Sequence, residues 1–570
     1  MTKVSIDKRN FPFKTYLPYL VIIVAGVLIF GLFFSPMIYY DDWNGFVGRY
    51  YFHLTSWIRP TFSRPFMETS WKLLISIFGF APVPFLISNI VIRITTALVI
   101  YHIFKEIRPT RPDMGLAFAL LTLVYPANQT RMWLVLIFLG WVLGCFCAWL
   151  LYRYSRNGKV WLLLIVALGY AYAFLEYEGT LGILTAWGVL LMLYTFPALN
   201  PPGKRISWLR WAGLGMPLVL FGAYLFYRLD LIYMIGLRGF HQIKAADPLS
   251  LMQNLAAGAY ALSYGWIKPL HALVPGSQIR WLVSIALILM AIWFLLGWRW
   301  SVYQARRHSW LPVSEDERRY AIRQSLFTCA AGLVLSIAGY FPFIAYAPPG
   351  LDFFSSRFNI YAVVGASLLL VGLVDLLAWA VVRNTRQAAM LFSLFILPFI
   401  IVGTGSELAI QRQTQLLWQE YRQMWQGIFR AAPGLQDNAA VVLVVAHTSC
   451  NPVEYGERQY FFSAIANLEL TNALNAFYGT QHISADFVYQ GCDLPNQVRF
   501  KRAGFNNPPS YDGLQPYKQA VILIYDRQTR QVRLADTLKD VTGFDAPEYQ
   551  PLQWITSGPG PNQMRYLVEP

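Results

Sequence analysis

Apolar runs of roughly twenty residues recur through the first 404 positions, and a run of that length suits a helix crossing a hydrocarbon layer. They fall near 18–37, 83–104, 114–130, 132–152, 160–177, 179–197, 209–229, 279–300, 322–346, 358–382 and 388–404. Only 13% of the 570 residues are charged and 56% are hydrophobic, against about 25% charged in a soluble domain. The expected fold is therefore a polytopic α-helical membrane protein with about 11 transmembrane helices. A shorter run, 66–81, is too brief to span and is expected as an interfacial helix. The 20 Trp and 34 Tyr suit the two membrane–water boundaries. The first apolar run follows Lys3, Lys8, Arg9 and Lys14 without a small-residue cleavage pattern, so it reads as a retained helix.

The net charge of +16 invites a nucleic-acid reading, but its distribution argues against one. From Ser406 onward there are 13 Lys and Arg against 15 Asp and Glu, so the whole surplus precedes that point. It concentrates in alternate short loops: Lys105, Arg108 and Arg111; Arg153, Arg156 and Lys159; Lys204, Arg205 and Arg210; Arg318, Arg319 and Arg323; Arg383 and Arg386. Basic loops stay cytoplasmic, which puts the N-terminus inside and, with an odd helix count, the C-terminal part outside.

Composition changes after Gly405. Gln411 to Phe429 has helical spacing, Ala439 to Val445 is a buried-strand run, Phe461 to Phe477 is helical, and Ala520 to Tyr525 is a second strand. Asp526 to Thr529 reads as a turn before Gln531 to Leu534, forming a hairpin. The expected organisation is a transmembrane domain over 1–405, a linker helix over 406–435 and a C-terminal extracytoplasmic α/β domain over 436–570. Cys145, Cys147 and Cys329 fall in apolar runs and read as buried apolar residues. Cys450 and Cys492 are the two in the tail, where an oxidising compartment would permit a disulfide.

Projected onto this topology, chemistry-bearing residues gather at the outer face. Asp41 and Asp42, followed by Arg49, Arg59 and Arg64, lie in the first outer loop. Tyr125, Pro126, Ala127 and Asn128 cap the next outer turn, and Glu176 and Glu178 end the fifth helix. Arg228, Arg238, His241, Lys244, Lys268 and His271 belong to a long outer loop, and Arg357 opens the tenth helix. A carboxylate pair beside arginines suits general-base chemistry next to a phosphate leaving group, because guanidinium pairs with phosphate through two charge-assisted hydrogen bonds. Hard carboxylate oxygens also admit a divalent cation, Mg²⁺ or Mn²⁺. Each residue has a plainer reading too. Asp41 and Asp42 fit a solvated helix end, Arg357 a snorkelling anchor, Glu178 a boundary carboxylate, and Tyr125 and Asn128 a turn.

The order of motifs resembles the GT-C class of glycosyltransferases, in its protein O-mannosyltransferase-like branch. The likeness runs over about the first 380 positions. It rests on Asp41-Asp42-Trp43, Arg64-Pro65-Phe66, Phe78-Gly79 with Pro82 or Pro84, and Ser88-Asn89 opening a helix. Tyr125-Pro126-Ala127-Asn128 is similar to the family's His-Pro turn. Tyr177-Glu178-Gly179 is similar to its Lys-Glu-x-Gly segment, and Ser356-Arg357-Phe358 to its late Arg-Tyr or Arg-His segment. The resemblance implies an inverting hexosyl or pentosyl transfer from a polyprenyl-phosphate carrier to a glycan, lipid or protein acceptor. It places that reaction at the extracytoplasmic face of the cell membrane. It further implies that Asp41 or Asp42 is the base and Arg357, with Arg64, the phosphate ligand, while Glu178 shapes the sugar pocket. Two departures bear on the sugar: Glu176-Tyr177-Glu178 lacks the lysine, and Tyr125 stands where histidine is common.

Two other classes fit the same composition. A transporter or flippase of lipid-linked glycans predicts ionisable residues within the bilayer midplane and internal repeats; Asp375 is the notable charge inside a helix and the sequence displays no repeat, and both observations lower this reading. An inactive relative serving assembly through its tail would bind the carrier without transferring sugar.

Overall fold

The computed structural model describes residues 13–32, 65–79, 81–127, 136–199, 208–235, 248–266, 288, 291, 314–341, 343, 349–351, 358–446, 467–480, 482–490, 498–506 and 514–557. Contacts divide the chain into two compact units. One takes Met1–Phe34, Pro60–Leu73 and Leu86–Gln411, the other Ser35–Arg59, Leu74–Phe85 and Arg412–Pro570.

The described helices of the first part are α1 (Phe13–Gly31), α2 (Pro65–Phe78), α3 (Pro82–Ile107), α4 (Pro112–Val124), α5 (Leu136–Asn157) and α6 (Trp161–Glu176). They continue with α7 (Leu181–Leu199), α8 (Trp208–Ile235), α9 (Pro248–Tyr264), α10 (Glu315–Tyr340), α11 (Ala362–Val381) and α12 (Thr385–Ala431). Proline opens α2, α3, α4 and α9, where its fixed φ suits the first turn and its missing N–H costs nothing. Ser314 and Glu317 close a reciprocal capping box at the start of α10.

Among the described residues four helices are long and apolar enough to cross a membrane: α3, α10, α11 and α12. Their neighbours turn large apolar side chains outward, as with Leu164 at 65% exposed, Val219 at 69% and Phe226 at 76%. Such exposure is unfavourable in water and neutral against lipid tails. Helices of this kind are those of a membrane protein. Between α10 and α11 backbone meets backbone: a Cβ on Gly365 would lie 2.1 Å from the Ser336 nitrogen, and one on Gly332 2.3 Å from that of Leu369. Small residues allow the close helix approach on which packing in lipid depends.

Two features differ from the sequence expectation. α9 lies within the stretch read as a long loop. The helices expected over 388–404 and 411–429 are one continuous α12. The run expected over 279–300 lies outside the described residues, apart from 288 and 291.

A buried charge cluster fastens the ends of four helices. Arg111, at the start of α4, places Nη1 2.6 Å from Asp375 Oδ1 on α11, and its Nε and Nη2 grip Asp113 at 2.9–3.1 Å. Ser325 Oγ, from α10, donates to Asp375 Oδ2 at 2.5 Å. The Arg111 guanidinium lies over the Phe392 ring of α12, 5.3 Å from its centroid. Asp375 is thus enclosed by opposite charge. Cys145, Cys147 and Cys329 are free thiols, as expected of residues in apolar helices.

The second unit contains a four-stranded sheet of β1 (Ala440–Ala446), β2 (Ser484–Tyr489), β3 (Ala520–Asp526) and β4 (Gln531–Leu534), in the order β2–β1–β3–β4. β1 pairs in parallel with β2 and with β3, and β4 returns antiparallel to β3. Every residue of β1 is buried, the signature of a central parallel strand covered on both faces. One face packs Val442 and Ile522 with Tyr517 and Tyr549. α13 (Asn467–Tyr478) contributes Phe477, whose ring meets Trp425 and Phe429 of α12 at 4.6 and 5.4 Å. Cys450 and Cys492 lie outside the described residues.

Candidate functional site

A cavity of about 50 Å³ lies where α1, α3, α4, α5 and the start of α11 meet. Arg93 of α3 lines it, with Thr96, Tyr125, Trp141, Phe30 and Val363 among its walls. Arg93 sits eleven residues past Pro82, about 16 Å along the helix at the usual rise. Its Nε donates to Asn89 Oδ1, one turn earlier, at 3.2 Å, and its guanidinium stands 5.6 Å from the Phe30 ring centroid. A guanidinium inside an apolar helix is costly to place, and such residues mark ligand or ion sites.

Two segments far apart in the sequence meet at this cavity. Tyr125 ends α4 and walls it from one side, while Ile360 and Val363, just beyond the 356–358 motif, wall it from another. Asn359 ties them together. Its Nδ2 donates to the Ala127 and Gly350 carbonyls, both at 2.8 Å, and its Oδ1 accepts from Tyr340 Oη at 2.8 Å. The side chain is fully buried and bonded on both its amide oxygen and its amide nitrogen. The Tyr125 hydroxyl donates to the Leu262 carbonyl at 2.9 Å, so this residue presents its ring to the cavity. Trp266 stacks edge-on against that ring at 4.8 Å.

Glu178 opens a 3₁₀ turn (Glu178–Thr180) between α6 and α7 and is buried. Gly179 is confined there, since a Cβ would lie 2.4 Å from the Tyr177 ring and 2.7 Å from that of Tyr361. Tyr361 in turn packs 5.4 Å from Trp141, a wall of the cavity. The Glu178 turn and the Arg93 cavity therefore share one aromatic partition.

Glu176, two residues earlier, forms a separate buried node. Its Oε2 accepts from the Gly140 N–H at 2.5 Å and its Oε1 from Tyr172 Oη at 3.2 Å. Tyr172 also hydrogen-bonds Ser70, whose Oγ donates to the Phe66 carbonyl at 2.9 Å. The Phe66 and Tyr172 rings stack at 5.3 Å. α2 thus docks on α6 through its one buried hydroxyl, with Leu73 and Ile77 left outward. That pattern agrees with an interfacial helix lying against lipid.

Of the residues singled out from sequence, Tyr125 and Glu178 fall among those described. Asp41, Asp42, Arg64, Asn128 and Arg357 lie outside them. Sequence reasoning passed over Arg93 and Asn359. Arg93 had a usable signal, a lone cation eleven residues inside an apolar helix. Asn359 had none, because its partners lie far away in the chain. Among the described residues no three His, Cys, Asp or Glu side chains converge as a metal site requires, and the first-loop acids fall outside them.

No protein-family model matches the sequence, and no curated protein does. Among solved structures, the chain is similar to the crystal structure of ArnT from Cupriavidus metallidurans bound to undecaprenyl phosphate. The match has 13% sequence identity and a TM-score of 0.30, and covers 83% of this chain and 89% of that one. A superposition this loose carries no argument about fold or substrate.

Proposed function

We propose that this chain is a membrane glycosyltransferase that moves a sugar from a polyprenyl-phosphate carrier to an acceptor at the extracytoplasmic face. The observation that carries the reading is the cavity in which Tyr125, the residues following Arg357 and the Arg93 guanidinium come together. Tyr125 and Ile360, which the sequence separates by more than 200 positions, wall one space, and a cation stands in it. The resemblance of the motif order to the GT-C class supports the same reading.

In the proposed reaction, Asp41 or Asp42 takes the proton from the acceptor hydroxyl or amide as that atom attacks the anomeric carbon. The bond from that carbon to the phosphate oxygen breaks with inversion, and the carrier phosphate leaves with the electron pair. Charge grows on the phosphate through the step, so fixed guanidinium groups lower the barrier more than they tighten ground-state binding. Arg357 and Arg64 serve this role at the boundary, and Arg93 from within the bundle. Glu178 shapes the sugar pocket behind the Tyr361–Trp141 partition, and Tyr125 and Asn128 border it. A divalent cation, if bound, would be held by the Asp41 and Asp42 carboxylates and would supply positive charge against the leaving phosphate.

Transfer from a synthetic polyprenyl-phosphate sugar by the purified chain tests this directly. The Asp41→Asn, Asp42→Asn double variant is expected to bind carrier and lose turnover, and undiminished turnover rejects the mechanism. Carrier binding by the wild type with no transfer to any acceptor would point instead to an assembly component.

A further inference from the structure

A second cavity, of about 80 Å³, lies between α3, α4, α7, α10 and α11, apart from the proposed transfer site. Its body is apolar, walled by residues such as Ile100, Phe118, Trp187, Ala331, Leu335 and Leu368. Its polar residues gather at one end. Arg108 just beyond α3, Tyr194 on α7 and Gln324 on α10 meet there, with Tyr194 Oη donating to the Ile107 carbonyl at 3.1 Å and Arg108 Nη2 to Gln324 Oε1 at 3.5 Å. Three helices contribute to this segregation independently. From Ile100 to Arg108 the chain advances about 12 Å, and from Leu335 to Gln324 about 16 Å. That span is about half of a ~30 Å hydrocarbon core, the depth of one leaflet.

We infer that this cavity holds one acyl chain of an anionic phospholipid, with the lipid phosphate at Arg108. The lining gives three reasons. An apolar space several times the ~10–15 Å³ that one water needs is a poor site for water and a good one for hydrocarbon. Among the described residues that line it, Arg108 carries the one charge, and it stands at the end where a headgroup would sit. Arg108 is also lightly committed. Its Nη1 is 3.8 Å from Asp375 Oδ2 and 3.3 Å from Met114 Sδ, whereas Asp375 is held much closer by Arg111 and Ser325. A phosphate oxygen would take up those donors without leaving Asp375 unpaired. The positive-inside pattern assigns this end to the cytoplasmic face, the leaflet rich in anionic lipid. The site is thus remote from an outer-face reaction, and its test does not depend on one.

The test is native mass spectrometry of the full chain in detergent, titrated with phosphatidylglycerol or with phosphatidylcholine of matched acyl chains. The wild type is expected to retain phosphatidylglycerol about tenfold better, because the choline cation of phosphatidylcholine neutralises the phosphate charge that Arg108 would pair with. Arg108→Gln should remove the preference while keeping a residual, headgroup-blind retention. Ala331→Leu, which fills the apolar body, should lower retention of both lipids. Equal retention of the two lipids by the wild type overturns the proposal, and that comparison stands even where a variant fails to fold. A preference that survives Arg108→Gln overturns it as well, as does unchanged retention in Ala331→Leu.

Discussion

Substituting the buried cluster around Asp375 should rank three variants in a definite order. In Arg111→Gln, Asp113 and Asp375 both lose the guanidinium that donates to them at 2.6–3.1 Å. Two carboxylates are then left buried beside an uncharged amide, with only Arg108, at 3.8 Å, near Asp375. Removing the shared partner of buried charges costs about 3–5 kcal/mol. Asp375→Asn is milder, because Arg111 keeps its grip on Asp113 and the amide oxygen still accepts from Ser325 or Arg111. One charge-assisted interaction becomes a neutral one, a loss of roughly 1.5–3 kcal/mol. Arg108→Gln gives up only contacts of 3.3 Å or longer to Asp375, Met114 and Gln324 and should cost under about 1 kcal/mol. The assay is equilibrium unfolding of the full chain in mixed detergent micelles, followed by tryptophan fluorescence. If Asp375→Asn unfolds with the wild type, or Arg108→Gln falls as far as Arg111→Gln, the cluster does not hold these helix ends together and the reasoning fails.

Four further outcomes follow from the same geometry. Arg93→Gln should weaken polyprenyl-phosphate binding by about 10–100-fold, the scale of a charged hydrogen bond, with Arg93→Lys intermediate, as read by carrier titration. Asn359→Ala orphans the Ala127 and Gly350 carbonyls, while the Tyr340 hydroxyl keeps the Gly258 carbonyl as acceptor at 3.2 Å; it should cost roughly 3 kcal/mol and lower transfer, measured by unfolding and turnover together. Gly365→Ala forces α10 and α11 apart and should cost about 3 kcal/mol, whereas the same change at exposed Gly31, where a Cβ meets nothing, should leave the unfolding midpoint unmoved. In the second unit, burial pushes the Tyr517 phenol, which donates to the Lys501 carbonyl at 2.6 Å, up to about 12. The folded state therefore retains that proton while the unfolded chain releases it near 10, so stability should fall between pH 10 and 12, and less so in Tyr517→Phe.

What the sequence made legible was whatever repeats along it. Apolar runs of membrane length gave α3, α10 and α11 to within a few residues, except that α10 begins before and ends short of the run. The continuous Val441–Val445 run gave a central strand because both of its faces are covered. What it hid depends on contact or on mixed composition. α9 intersperses Ser250, Gln253 and Asn254 among Leu249, Met252 and Tyr260, so no twenty-residue apolar window forms, yet the helix does. β2 carries Asp486 mid-strand, which masks its strand character although the residue is buried. The shift to polar residues after Gly405 marks a change of surroundings, not of backbone, since Gln411, Gln413 and Gln415 are good helix formers and α12 runs on. At the site, Tyr125 stands out in the sequence as part of a turn motif, but Asn359, which bonds the Ala127 and Gly350 carbonyls, reads in sequence as an ordinary polar residue at a helix start.

Asp375 and Arg93 set the limit of such reading, because the same rule flags both: a charge inside an apolar helix marks function. Their surroundings separate them. Asp375 is enclosed by Arg111 and Ser325 at hydrogen-bonding distance, which makes it a fastening between helices. Arg93 lines a cavity walled by rings and hydroxyls, where a guanidinium is positioned to meet an incoming anion. The distinction is measurable. A substitution at Asp375 should move the unfolding transition and leave carrier affinity, corrected for the folded fraction, where it was. A substitution at Arg93 should do the reverse. Were the two variants to shift the same quantity, burial alone would govern both residues, and the cavity would lose its claim to a ligand.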